Sequence, residues 1–186
     1  MGKVCAFFAE GYEEIEALAA VDLLRRVGIE TETVSVTGEY IVMGSHGIPV
    51  KMDRLLEELD FHGVDVLMLP GGMPGTKNLE ACEPLMNQLD AFYQKNKIIA
   101  AICAAPSILG HKGMLKGRRA CAYPGFEAQL EGAEISDKPV EIAGNIITSR
   151  GMGCAIDFGL AIVEILLGRE QAAELADRIV YTHYTG

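Results

Sequence analysis

The chain has 186 residues, 49% of them hydrophobic and 23% charged, and its 16 Lys and Arg against 26 Asp and Glu leave a formal net charge of −10. That is the profile of one ordinary globular domain, spanning 1–186, with length enough for a sizeable core. It argues against a nucleic-acid partner, which needs clustered basic residues, and against a membrane partner, since no apolar run nears the roughly 20 residues of a span.

Strand and helix patterns alternate almost from end to end. Met1-Gly2-Lys3 leads straight into an apolar strand over 4–9, so no signal peptide is expected. Residues 12–27 read as a helix closed by Gly28, and 30–37 as a β-branched strand. Residues 40–52 read as a hairpin excursion around Gly44 and Gly47, and 53–59 as a short helix. A continuous apolar strand over 64–69 is cut off by Pro70-Gly71-Gly72. A helix over 84–95 and a buried strand over 98–102 follow, then a helix over 104–110 with Pro106 in its first turn. Short strands near 119–122 and 145–149 precede two helices at 154–167 and 170–181. Continuous rather than alternating apolar strands imply burial on both faces. The expected fold is a single α/β domain, a doubly wound, mostly parallel sheet between helices. In such sheets ligands bind beyond the carboxyl ends of the strands. Glu10-Gly11, Gly71-Gly72 and Cys103 converge on that edge.

Cys103 falls on the turn between the 98–102 strand and the following helix. A nucleophile there faces the unpaired N–H groups of a helix start, which favour a thiolate and lower the cysteine pKa. The other reading is a buried small hydrophobe, the usual state of a free cysteine. On a helical wheel Glu16 falls among Ala19, Ala20, Leu23 and Val27, opposite Asp22, Arg25 and Arg26. A carboxyl group on an apolar face is desolvated, so its pKa rises and it can donate a hydrogen bond. The alternative is a rotated helix, or a Glu16 that caps a backbone group. Glu13 and Glu14 suit the dipole of the helix start. Gly72 is placed to offer its N–H, with that of Ala104, to a developing oxyanion, or is merely a turn residue. Thr148-Ser149-Arg150-Gly151-Met152-Gly153 enters a helix and reads as an anion site or as a capped start with a solvated arginine. Neither GxGxxG nor GxxxxGK is present, and the four histidines are not paired with cysteine, so no cofactor and no metal are expected. Five cysteines without CxxC spacing suit a reducing cytoplasm.

These pieces together resemble the DJ-1/ThiJ/PfpI superfamily, in its DJ-1-like branch, over essentially the whole chain. The resemblance rests on Glu10-Gly11-Tyr12-Glu13-Glu14-Ile15-Glu16 with Asp22-Leu23-Leu24-Arg25-Arg26, and on Leu69-Pro70-Gly71-Gly72. It continues through Ala100-Ala101-Ile102-Cys103-Ala104-Ala105-Pro106, Thr148-Ser149-Arg150-Gly151 and Ala155-Ile156-Asp157-Phe158-Gly159-Leu160-Ala161. It implies a flavodoxin-like fold, Cys103 as the reactive cysteine, Glu16 as its protonated partner, and Gly72 and Ala104 as oxyanion-hole donors. Gly71, Arg150, Gly151 and Tyr123 would line the substrate or anion pocket. A homodimer is implied, with Arg26 and His46 near the partner's site. Four positions depart from the pattern. Ala104 stands where the protease-like branch has histidine, Tyr123-Pro124 where several relatives have histidine, and His46 where relatives have arginine. Gly151-Met152-Gly153-Cys154 replaces Gly-Pro-Gly-Thr and adds a thiol. A peptidase triad is therefore not expected.

Three functions follow from the resemblance. The first is a cofactor-independent glyoxalase or deglycase acting on small aldehydes. The second is a redox-sensing, stress-protective, chaperone-like protein built on the same oxidisable sulfur. The third, a thiamine-biosynthesis role carried by some members' names, has no thiazole-specific or phosphate-loop feature behind it here.

Overall fold

The computed structural model describes residues 2–184; Met1, Thr185 and Gly186, the ends of the expected domain, lie outside the described residues. The sheet strands in chain order are β1 (Lys3–Phe8), β2 (Glu30–Ser35), β5 (Arg54–Leu55), β6 (Val64–Leu69), β7 (Ile98–Ile102), β10 (Val140–Ala143) and β11 (Ile146–Ser149). Two small pairs, β3 (Ile41–Met43) with β4 (Pro49–Lys51) and β8 (Arg119–Ala120) with β9 (Glu134–Ile135), stand outside it. The helices are α1 (Glu14–Arg26), α2 (Gly75–Glu80), α3 (Glu83–Gln94), α4 (Pro106–His111), α5 (Ala155–Leu167) and α6 (Arg169–Arg178).

The strand order is β10-β11-β7-β6-β1-β2-β5, parallel throughout except for the antiparallel β10–β11 edge. Its five central strands, β2-β1-β6-β7-β11, follow the flavodoxin-like order, which reverses direction between β1 and β6. β1 is buried on both sides, as its unbroken apolar run requires. Val4, Ala6 and Phe8 enter the core under α1, α5 and α6, while Cys5 and Phe7 enter the core shared with α2, α3 and α4. α1 and α5 meet almost backbone to backbone. A Cβ on Gly159 would lie 2.6 Å from Leu23 Cδ1 and 3.2 Å from Ala20 Cα.

The fold is the expected single α/β domain, with local differences. Residues 53–59 are not a helix but the edge strand β5 followed by a 3₁₀ turn over Leu56–Glu58. Asp53 explains this: its carboxylate accepts from the Thr33 N–H and hydroxyl, each at 2.8 Å, and from Arg25 at 2.6 Å. Those bonds lay Arg54 and Leu55 beside Val34 and Ser35. The 104–110 helix starts two residues later, at Pro106, because residues 103–105 form the turn. The last helix stops at Arg178, before Val180 takes a left-handed φ of 59°. Helix α2 and strands β9 and β10 are elements the sequence pattern does not announce. No helix among the described residues is long and apolar enough to cross a membrane.

Candidate active site

Three loops meet at the carboxyl edge where the sheet reverses: Gly11–Glu13 after β1, Gly71-Gly72 after β6 and Cys103 after β7. Cys103 takes a left-handed φ of 65°, a conformation costing a non-glycine residue about 1–2 kcal/mol. Strand β11 and the loop after β8 hold it there. The Cys103 N–H donates to Ser149 O at 2.9 Å, and the Tyr123 N–H donates to Cys103 O at 2.8 Å. The Ala104 carbonyl accepts from the Ser107 hydroxyl at 2.7 Å, which closes the turn into α4. The elbow directs the thiol toward Glu16 and toward the N–H groups of Gly72 and Ala104.

Glu16 is 1% exposed, on the face of α1 that also buries Ala17 and Ala20. Its Oε2 accepts the Gly71 N–H at 3.1 Å, its carboxyl group shares a hydrogen bond with the Cys103 thiol, and the Met152 N–H also reaches it. Burial pushes the Glu16 carboxyl up to about 7, and the nearby Glu13 adds to the rise; bonds from Cys103, Gly71 and Met152 oppose it. Gly71 is required by space. A Cβ there would lie 2.5 Å from Cys103 Cβ and 2.6 Å from Glu16 Oε2.

One expectation is corrected here. A helix start alone lowers a thiol pKa, but burial and the Glu16 carboxylate push the Cys103 thiol up, against the pull of the Gly72 and Ala104 N–H groups. The sulfur lies deeper than the elbow pattern implies, at 9% residue exposure. Two acids in one dry site hold a proton between them. When the pair holds one proton, Sγ is a thiolate only in the arrangement that leaves that proton on Glu16; burial and the neighbouring carboxylate favour the proton on sulfur.

The structure brings Gly71, Gly72, Ala104, Gly151 and Tyr123 to this pair. A Cβ on Gly151 would sit 3.2 Å from the Tyr123 ring and 3.7 Å from Glu16 Oε1. Tyr123 itself is 50% exposed. Arg150 is at the same strand end, but its guanidinium is held by the Asp137 carbonyl at 3.1 Å, and its charge falls beside the Cys154 thiol. Arg26 is exposed and paired with Asp22 at the far end of α1. His46 sits on the β3–β4 turn, where the buried Glu14 carboxylate accepts its N–H at 2.7 Å and meets its Nδ1 at 2.8 Å. Glu13, Glu14 and His46 are near enough to one another to face a common ion. Their bonds describe a clasp instead: Glu14 is taken up by His46 and Ser45, and Glu13 Oε2 by the Glu16 N–H. The helix dipole accounts for neither of these bonds; the sequence signal for the Glu13 cap is the Glu13-x-x-Glu16 spacing, that of a capping box. The Met152 N–H has no side-chain signature.

An elbow thiol and a buried carboxyl at the switch of a flavodoxin-like sheet define a class of α/β domains with a cysteine site, and sequence comparison supplies the family. The DJ-1/PfpI family model matches residues 2–165, and the chain belongs to that family. It is 38% identical over 180 residues to Protein DJ-1 homolog B of Arabidopsis thaliana, covering 96% of this chain and 41% of that protein. The chain thus spans about two fifths of the length of that relative. It is 32% identical to the Caenorhabditis elegans protein named glutathione-independent glyoxalase DJR-1.2, over 89% of each chain. The solved structure of oxidized Toxoplasma gondii DJ-1 superposes with a TM-score of 0.94 at 36% identity, covering 98% of this chain and 100% of that one.

Burying Glu16 has a stability consequence of definite sign. Its pKa is raised on folding from an ordinary 4.5 to about 7. The favourable contribution of the neutral carboxyl is complete below pH 4.5 and disappears as pH rises through about 7, a swing of about 3 kcal/mol. Glu16→Gln is expected to melt several degrees above the wild type at pH 8, with the gap closing toward pH 4.5. Thermal melts of both proteins across that range check this; a gap independent of pH contradicts it.

Proposed function

We propose that the protein is a cofactor-independent cysteine enzyme that converts small 2-oxoaldehydes, such as methylglyoxal and glyoxal, to hydroxy acids. The observation that carries this reading is the hydrogen-bonded Cys103–Glu16 pair, with the carboxyl near neutrality, beneath two backbone donors. The name of the glyoxalase relative from C. elegans supports the substrate class. Early glycation adducts offer a related electrophilic carbon.

The chemistry needs only water as co-reactant. With the shared proton on Glu16, Sγ attacks the aldehyde carbon, forming a C–S bond, and the carbonyl oxygen becomes an alkoxide that takes up the Glu16 proton. The Gly72 and Ala104 N–H groups, which reach Sγ, are the donors this reading assigns to that oxygen's developing charge. The Glu16 carboxylate then removes the proton from the same carbon and returns it to the adjacent carbonyl carbon, while the hydroxyl proton passes from the first oxygen to the second. The hemithioacetal thereby becomes a 2-hydroxyacyl thioester. Water adds to the thioester, the C–S bond breaks, and the hydroxy acid leaves with Cys103 regenerated. Tyr123, in place of a histidine, supplies no imidazole base, which fits this pair better than a peptidase triad.

A second reading rests on the same donors. A sulfinate on Cys103 would accept a charge-assisted bond from protonated Glu16 and bonds from Gly72 and Ala104, so the site also suits an oxidation sensor. We further propose a homodimer in the cytoplasm. The start of α1 and the hairpin tied to it expose Ile15, Ile41, Met43 and Ile48, at 40–60% exposure. All five cysteines are free, in keeping with a reducing compartment.

Three measurements separate these readings. Methylglyoxal turnover should vanish in Cys103→Ser and fall by about 10²- to 10⁴-fold in Glu16→Gln; turnover equal to wild type in Cys103→Ser removes the enzyme reading. After mild peroxide, peptide mass spectrometry should find two added oxygens on Cys103 ahead of Cys82, Cys121 and Cys154; uniform oxidation of all four removes the sensor. Light scattering of the full chain should give twice its 20.0 kDa mass, shifting to the single mass in Ile48→Asp. A wild-type monomer overturns the dimer.

A further inference from the structure

Helix α1 opens on a capping box with one bond rerouted. Glu13 is the N-cap, and its Oε2 accepts the Glu16 N–H at 2.7 Å. In an ordinary capping box the side chain of that third residue returns to the N-cap amide. Here the Gly71 carbonyl takes the Glu13 N–H at 3.0 Å, and the Gly71 N–H donates to Glu16 Oε2 at 3.1 Å. Three hydrogen bonds close a ring through Glu13, Gly71 and Glu16. Because Gly71 satisfies the cap, the Glu16 carboxyl is released toward Cys103. The Glu13 side chain is held in the same ring, at 9% residue exposure.

We propose that Glu13 is a positioning residue that sets both the place and the proton of Glu16: its carboxylate anchors the Glu16 backbone and opposes a second negative charge on the same helical turn. The proposal rests on the reading that Cys103 and Glu16 work as a pair, and not on which aldehyde they act upon. The groups that face Glu16 are the Cys103 thiol from the elbow, the N–H groups of Gly71 and Met152 from their loops, and the Tyr123 ring across Gly151. Glu14, on the same turn, is turned to His46. Glu13 is therefore the like charge next to Glu16, its carboxylate bonded to the Glu16 N–H with the exposed His46 ring within 4.8 Å as the titratable group that faces it, and its effect on Glu16 is upward. Of the two arrangements with one proton on the pair, only the one that leaves it on Glu16 gives a charged sulfur, so a residue that favours protonated Glu16 favours the nucleophile.

The test is the rate of Cys103 alkylation by iodoacetamide against pH, read by peptide mass spectrometry on the full chain. Glu13→Gln keeps an acceptor for the Glu16 N–H and removes the charge; Glu13→Ala removes both. In Glu13→Gln the low-pH limb should move down by about 0.5–1 pH unit, and the neutral plateau should fall by about three- to tenfold as the carboxyl yields its proton to sulfur. Its melting temperature should stay near wild type, whereas Glu13→Ala should also melt lower. In a Glu16→Gln background the Glu13→Gln change should leave the profile untouched. A Glu13→Gln profile that superimposes on the wild type, with only a lower melting point in Glu13→Ala, makes Glu13 a structural cap and overturns the proposal. A wild-type profile unmoved by Glu16→Gln overturns it by removing the pair. A Glu16-dependent profile that shifts in Glu13→Gln, in a protein that turns over no aldehyde, defeats the enzyme reading and supports the role of Glu13.

Discussion

The withdrawal of one carboxyl group from water governs this molecule's site. Glu16 is 1% exposed and faces a thiol, another acid, with backbone N–H groups as its other partners. No Lys or Arg side chain is bonded to it among the described residues. Under those conditions its charged form is disfavoured, and the carboxyl stays protonated to near neutrality. The same desolvation acts on Cys103, so the two groups titrate as a unit. A site built this way works against the fold above pH 7, where about 3 kcal/mol that a neutral side chain would keep is lost. Such a local penalty is typical of positions whose chemistry needs a group in an awkward state.

The sheet makes that arrangement reachable. Where strand order reverses, the loops after β1 and β6 part, and the ends of neighbouring strands become accessible from above. Glu16 comes from the helix after β1, Gly71 from the loop after β6, and Cys103 from the turn after β7. The three sites are 55 and 32 residues apart along the chain, yet a methyl group on Gly71 would overlap both of the others. The backbone of the loop after β6 thus serves as a spacer between acid and thiol. Cys103 tolerates its left-handed backbone because Ser149 and Tyr123 engage its N–H and carbonyl. The strain is held by one hydrogen bond to β11 and one from the loop after β8.

Much of this was readable from residue order. The apolar runs over 64–69 and 98–102 announce buried parallel strands, and a helical wheel alone puts Glu16 on the wrong face for an acid. What could not be read was anything set by a partner distant in sequence. Residues 53–59 look helical until Asp53 is seen to bind Thr33 and Arg25. Arg150 looks like a free cation until Asp137 is found to hold it. The direction of the Cys103 shift depends on depth and on a neighbouring carboxylate, neither of which the elbow motif encodes.

The first turn of α1 shows why a local rule was insufficient there. Glu13, Glu14 and Glu16 all stand at a helix start, where the dipole favours carboxylates by about 0.3–1 kcal/mol. That single rule predicts three similar acids, and the structure holds three different ones. Glu13 caps the Glu16 N–H. Burial acts to raise Glu14, but the ring and backbone N–H of His46 outweigh it and hold Glu14 below its ordinary range. The exposed His46 is raised in return. Among the described residues Glu16 meets no Lys or Arg, and the net rise of its carboxyl to about 7, worth about 3 kcal/mol, exceeds what the dipole returns. The ordering of these magnitudes makes one glutamate of the three an acid near pH 7, and it is the one whose side chain Gly71 has freed from the cap.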